Sequence, residues 1–147
     1  MKIGIKLLTK DAVIPAKGTA GAAAYDLIVP NRQFVKGGRN IIKLNWAIDL
    51  PKGYCAEIEP RSGYSAKGFV DIENTRLDCD VIHGLIDEDY KGEVGVIVIN
   101  RDRDFFVEKG QRIAQMLIHK VDDTELFETD LLSESERNQG GFGSTGN

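Results

Sequence analysis

The apolar residues of this 147-residue chain fall in short runs, and almost none of them repeats at helical spacing. Tyr54-Cys55-Ala56-Glu57-Ile58-Glu59 shows the pattern most plainly: Tyr54, Ala56 and Ile58 share one face and Glu57 and Glu59 the other, as in a half-buried antiparallel strand. Met1 to Leu8, Tyr25-Asp26-Leu27-Ile28, Gln33-Phe34-Val35, Asn40 to Leu44 and Trp46 to Leu50 are further strand-like runs. Gly37-Gly38 and Pro51-Lys52-Gly53 punctuate them, and Pro30 stops the pairing after Ile28. Phe69 to Ile72, Arg76-Leu77, Val81-Ile82, Val94 to Ile99, Phe105-Phe106-Val107 and Ile113 to Ile118 complete the set. Only Pro60 to Gly68 breaks the pattern in a way that predicts a helix, one or two turns long and ended by Gly68. Many short strands with almost no helix predict an all-β, jelly-roll-like antiparallel sandwich or barrel. Residues 94–99 are apolar on both faces and are expected to be buried on both, within the sandwich or against another subunit.

The length fits one domain, taken as residues 1–136, with a core large enough to need no staples. Residues 137–147, rich in glycine, are expected to form a flexible C-terminal arm. Cys55 and Cys79 are too isolated for a metal site or a disulfide, and His83 and His119 have no ligand spacing around them. Nineteen basic against 23 acidic residues argue against a nucleic-acid surface, so an anionic ligand would be met by local arginines, backbone amides and a divalent cation. No membrane-length apolar run or secretion-signal core is present, and a cytoplasmic protein, of a bacterium or a virus-infected cell, is expected.

Residues 84–93, Gly-Leu-Ile-Asp-Glu-Asp-Tyr-Lys-Gly-Glu, read as a long acidic turn between the strands at Val81-Ile82 and Val94. Asp87 stands where strand gives way to turn, a place that holds a carboxylate rigidly and keeps it wet; a solvated acidic turn is the plainer reading. Arg61-Ser62-Gly63 sets a guanidinium, a hydroxyl and bare backbone at a helix start, either an anion site or a proline-initiated helix with an exposed arginine. Gln115 interrupts an apolar strand, as a core amide or a ligand group, and Asp26 ends one, as a cap or an outer-sphere partner of a hydrated cation. Arg137, Phe142, Gly143, Ser144 and Thr145 join a guanidinium, a stacking ring and hydroxyls to a backbone able to wrap a phosphate.

Five stretches in this order, Ala23-Ala24-Tyr25-Asp26-Leu27, Pro60-Arg61-Ser62-Gly63, residues 84–93, residues 110–115 and residues 137–146, resemble the five motifs of the homotrimeric deoxyuridine triphosphatase (dUTPase) family. The resemblance implies a jelly-roll subunit in a homotrimer, with three sites at subunit junctions, each closed by a C-terminal arm. It implies hydrolysis of dUTP to dUMP and pyrophosphate, which limits uracil in DNA and supplies dUMP for thymidylate synthesis. Asp87 would orient and help deprotonate the water that attacks the α-phosphorus in line. Tyr90 would lie against the deoxyribose and exclude a 2′-hydroxyl. Backbone groups of the hairpin strands, with Leu85 and Ile86 beside them, would read uracil. Val81 and Gly95, equidistant from Glu88, would face the base from opposite strands. Ser62, Gly63 and Arg61 would hold the phosphates. Asp26 and Gln115 would touch them or the waters on a Mg²⁺ carried by the triphosphate rather than by protein ligands. Arg137, Gly143, Ser144 and Thr145 would close over the γ-end and Phe142 over uracil.

The chain departs from the family pattern at Ala24, Tyr64 and Asn138, where glycine, leucine and glycine are usual, and in a longer connection over residues 73–80. The related deoxycytidine triphosphate deaminases need a glutamate where this chain has Ile97, expected to be buried. A second role, in which bound nucleotide orders the arm for a regulatory partner, is compatible with the same residues.

Overall fold

The computed structural model of the chain describes residues 1–134. In chain order its elements begin with β1 (Gly4–Leu7), β2 (Tyr25–Ile28), β3 (Gln33–Val35), β4 (Gly38–Lys43), β5 (Trp46–Asp49) and β6 (Tyr54–Pro60). The helix α1 (Ser62–Lys67) follows, then β7 (Phe69–Val70), β8 (Arg76–Leu77), β9 (Cys79–Val81) and β10 (Gly84–Ile86). β11 (Gly95–Asn100), β12 (Phe105–Val107) and β13 (Arg112–Lys120) complete the fold. No helix among the described residues is long and apolar enough to cross a membrane.

Two antiparallel sheets carry most of the structure, one ordered β10-β6-β13-β2 and the other β4-β11-β9. The pairs β1-β5, β12-β3 and β7-β8 stand beside them. Alternation dictates what the two sheets share. Leu27, Ala56, Ile58 and Met116 from the first, and Ile42, Val81, Val96 and Val98 from the second, are buried in one apolar cluster around Trp46 and Phe69. This is the expected all-β sandwich with its one short helix.

The strand β13 has a bulge where it meets β2: Arg112 opposes Ile28 but Ala114 opposes Leu27, so Ile113 is the extra residue. Ile113 and Ala114 are both buried, and Gln115 therefore emerges on the outer face opposite Asp26.

Two expectations are corrected. Residues 84–93 are not one turn, because Gly84–Ile86 leaves β9 and pairs with Ala56 to Ile58 of β6 in the other sheet. The connection is consequently not symmetric about Glu88, and Val81 opposes Val98 while Gly95 opposes Lys43. The outer face of β11 is also open rather than buried within the subunit: Ile97 and its cross-strand neighbour Ile41 are 39% and 66% exposed.

The longer connection over residues 73–80 is ordered structure. Asp71 closes the β7-β8 turn by accepting hydrogen bonds from the amides of Glu73 (3.0 Å) and Thr75 (2.8 Å), and Arg103 donates to its other oxygen at 2.5 Å. Burial pushes the Asp71 carboxyl up, but the Thr75 amide, the Arg103 guanidinium and the Glu73 amide outweigh it and hold the group below its usual range. The helix ends where Gly68 adopts φ 74° and donates its amide to the Tyr64 carbonyl at 2.8 Å. A Cβ at Gly68 would stand 2.3 Å from the carbonyl oxygen of Leu77 on β8. Both the left-handed backbone and this close approach require glycine. Gly68→Ala is expected to destabilise the protein by about 3 kcal/mol, read from denaturant unfolding.

Candidate active site

Two groups of side chains converge on separate cavities. The first group is set out by α1 and the outer face of the four-stranded sheet. Asp26, Arg61, Ser62, Gly63 and Gln115 line one open, polar cavity of about 470 Å³. Arg61 occupies the N-cap position with an extended backbone (φ −82°), so its side chain leaves the helix while Ser62 and Gly63 form the exposed first turn. Its Nε lies 3.3 Å from Asp26 Oδ1, and its Nη1 donates to the Arg112 carbonyl at 3.0 Å. Arg112 Nη1 lies 3.3 Å from the other Asp26 oxygen. One carboxylate thus serves two guanidiniums, which leaves the cavity with surplus positive charge. Gln115 Nε2 donates to the Pro60 carbonyl at 3.0 Å, and the residue lines the cavity. Tyr64 stacks on Phe69 at 4.4 Å, and burial raises its phenol pKa against the pull of Arg61 and Arg112.

The second group surrounds a smaller cavity of about 180 Å³ between β10 and β11. Ile82, Leu85, Ile86, Tyr90, Gly95 and Ile97 are among its lining residues. Tyr90 is fixed twice: its hydroxyl donates to the Glu93 carbonyl at 2.9 Å, and its ring lies where a Cβ on Gly92 would stand, 2.5 Å from the hydroxyl oxygen. A Cβ on Gly95 would meet Ile41 Cγ2 at 2.7 Å, so glycine keeps β11 close to its neighbour and the cavity open. Val81 does not line it but a different cavity, with Pro60, Tyr64 and Ser65, and Ile82 lines both.

Asp87 stands at the end of β10, exposed, and its carboxylate makes no hydrogen bond among the described residues. Its neighbours anchor the loop instead. Glu88 accepts a short hydrogen bond from the Gly53 amide, which corrects the expectation of a merely solvated side chain. Lys91 Nζ donates to Asp49 at 2.7 Å and to the Glu88 carbonyl at 2.8 Å. The predicted residues Arg137, Phe142, Gly143, Ser144 and Thr145 lie outside the described residues.

Sequence reasoning missed Arg112 and Ile82. Arg112 stands in the stretch singled out for Gln115, where its charge on the outer side of a strand was the available signal; Ile82 carried none. Ile97 is neither buried nor titratable; it lines the smaller cavity. Cys79 is buried, and burial together with the nearby Asp80 carboxylate pushes its thiol up to about 12, which makes it a packing residue rather than a nucleophile. Among the described residues no group of three or more His, Cys, Asp or Glu side chains is placed to hold a metal ion.

Comparison with known proteins bears on both cavities. The dUTPase family model matches residues 10–146. The deoxyuridine 5′-triphosphate nucleotidohydrolase of Hydrogenobaculum sp. (strain Y04AAS1) is 43% identical over 152 aligned positions, covering 99% of each chain. Among solved structures, a point mutant of the Staphylococcus bacteriophage 80alpha dUTPase with dUpNHpp superposes with a TM-score of 0.86 at 26% identity, covering 99% of each chain. A point mutant of the dUTPase from phage phi11 of S. aureus, described with a structural Mg(II) ion, shares the fold at a TM-score of 0.77 and 19% identity, covering 89% of this chain and 98% of that one. The chain, matched along nearly its whole length, belongs to the dUTPase family.

Proposed function

We propose that the protein hydrolyses dUTP to dUMP and pyrophosphate, with the polar cavity taking the phosphates and the smaller one taking uracil and deoxyribose. The observation that carries this reading is a division of chemistry. Arg61, Ser62 and Gln115 line one cavity together with Asp26, the carboxylate that Arg112 also reaches, and a shape-limited apolar slot next to Asp87, whose carboxylate is unpartnered among the described residues, forms the other.

In this reading Asp87 accepts a proton from water as the water oxygen forms a bond to the α-phosphorus. The bond from that phosphorus to its bridging oxygen breaks, and the electron pair leaves with pyrophosphate. Because Glu88, Tyr90 and Lys91 hold the loop, the carboxylate is positioned without a partner of its own. The fixed ring of Tyr90 forms a hard wall for the sugar, with no freedom to yield to a 2′-hydroxyl. Ser62, the Gly63 amide and the guanidiniums meet the phosphate oxygens. A hydrated Mg²⁺ carried by the triphosphate fits the donor set: both Asp26 oxygens are engaged by arginines, so Asp26 and Gln115 are suited to hydrogen-bond its waters rather than to ligate it. Such an ion would neutralise phosphate charge.

The separation of the two groups supports a site shared between subunits, as in the homotrimer that the family resemblance implies. Leu85 on β10 and Asp26 on β2 stand on opposite edges of one four-stranded sheet, roughly 14 Å apart at the usual strand spacing. The cavity that Leu85 lines holds none of Asp26, Arg61, Ser62 and Gln115. Slot and phosphate residues from neighbouring subunits would complete each site, with the arm of residues 137–147 closing it.

Incubation with each deoxynucleotide and Mg²⁺, scoring pyrophosphate and ammonia separately, tests the reading: dUTP alone should release pyrophosphate, and ammonia release from dCTP would establish deamination instead. Asp87→Asn should lower kcat by about a thousandfold while dUpNHpp binding stays measurable by calorimetry; near-normal turnover would remove Asp87 from the mechanism. Tyr90→Ala should narrow the preference for dUTP over UTP by about tenfold or more in kcat/KM, and an unchanged ratio would place the sugar discrimination elsewhere.

A further inference from the structure

The polar cavity extends past the residues just assigned to the phosphates. Lys67 at the end of α1, Val70 on β7 and Arg76 on β8 line it as well. Arg61, which also lines it, is already engaged, since it shares Asp26 with Arg112. Arg76 differs from them. Among the described residues it pairs with no carboxylate, whereas Arg101 sits on Asp78 and Asp80 and Arg103 on Asp71. Its one hydrogen bond runs from Nη1 to the Lys67 carbonyl at 3.3 Å, a long contact that leaves most of its five donors uncommitted.

The hairpin that presents Arg76 is held in place at three points. Asp71 clasps its turn and is itself held by Arg103. Gln111 Nε2 donates to the Val70 carbonyl at 3.1 Å, which ties β7 to the approach of β13. Gly68 lets the helix end lie directly on Leu77, next to Arg76. An arginine with no anionic partner among the described residues, on a braced hairpin, lining a cavity that Ser62 and Arg61 also line, is suited to a phosphate oxygen.

We propose that Arg76 is a binding residue for the nucleotide's phosphate chain, taking oxygens of the β- and γ-phosphates in the cavity that Arg61 also lines, with Lys67 adding charge. This rests on the dUTP reading above. The alternative is purely structural, a guanidinium that caps a helix carbonyl, and the two differ in which ligands feel its loss.

Calorimetric titration of the full chain with dUpNHpp and with dUMP separates them. Arg76→Ala should weaken dUpNHpp binding about tenfold and dUMP binding by less than about twofold, and Arg76→Lys should recover most of the loss. The KM for dUTP should rise with little change in kcat. Equal weakening of both nucleotides, or no weakening of either, overturns the proposal. If the alanine variant melts early, Arg76→Gln, which keeps a donor for the Lys67 carbonyl but removes the charge, is read by the same contrast. Wild-type protein that neither binds dUpNHpp nor hydrolyses dUTP overturns the functional reading and this proposal together. Normal wild-type turnover with an unchanged contrast in the variants overturns this proposal alone.

Discussion

The anion-facing side of the molecule depends on the bulge in β13. A regular strand would alternate Arg112 outward, Ile113 inward, Ala114 outward and Gln115 inward, and so would bury an amide in the core and turn Met116 out of it. The extra residue lets Ile113 and Ala114 both enter the core and returns Gln115 to the surface opposite Asp26. Arg112 also stays outside, where it reaches the carboxylate that Arg61 approaches from the helix start. The apolar burial of two adjacent side chains thereby offsets the local loss of regular pairing and fixes the polar group beside them.

The acidic loop shows a division of labour by chemistry. Glu88 is spent on the Gly53 amide, Lys91 on Asp49, and the Tyr90 hydroxyl on the Glu93 carbonyl. These contacts join the loop to β5, to the β5-β6 turn and to itself, so its shape is set by groups other than Asp87. A carboxylate held by its backbone alone remains fully available to water, the condition a general base needs.

Much of this was legible in the chain because it depends on local pattern. Alternation marked β6, continuous apolar runs marked β11 and β13, and the proline-to-glycine interval marked α1 almost to the residue. Pairing was not legible in the same way. Gly84, Leu85 and Ile86 read as the start of a turn since they stand beside acids, but they complete the edge of a sheet whose next strand lies some thirty positions earlier. Once they leave for that sheet, symmetry about Glu88 no longer predicts the register, and Val81 finds Val98. The chemistry of Asp26, Arg61 and Gln115 was visible as residue types; their convergence follows from strand order, which no local period encodes. Arg76 was legible only as part of a short strand, since its place at the cavity depends on how the β7-β8 hairpin is held against the helix end.

The loop that holds Asp87 without using it has an evolutionary consequence. Where a reacting group also braces the fold, losing it damages shape and chemistry together, and selection removes the variant for both reasons. Here position 87 is decoupled from the contacts that shape its surroundings. In the proposed reading, a single substitution there silences the chemistry and leaves the shape of the pocket intact, so lineages of such a scaffold can explore sensing without first having to rebuild it.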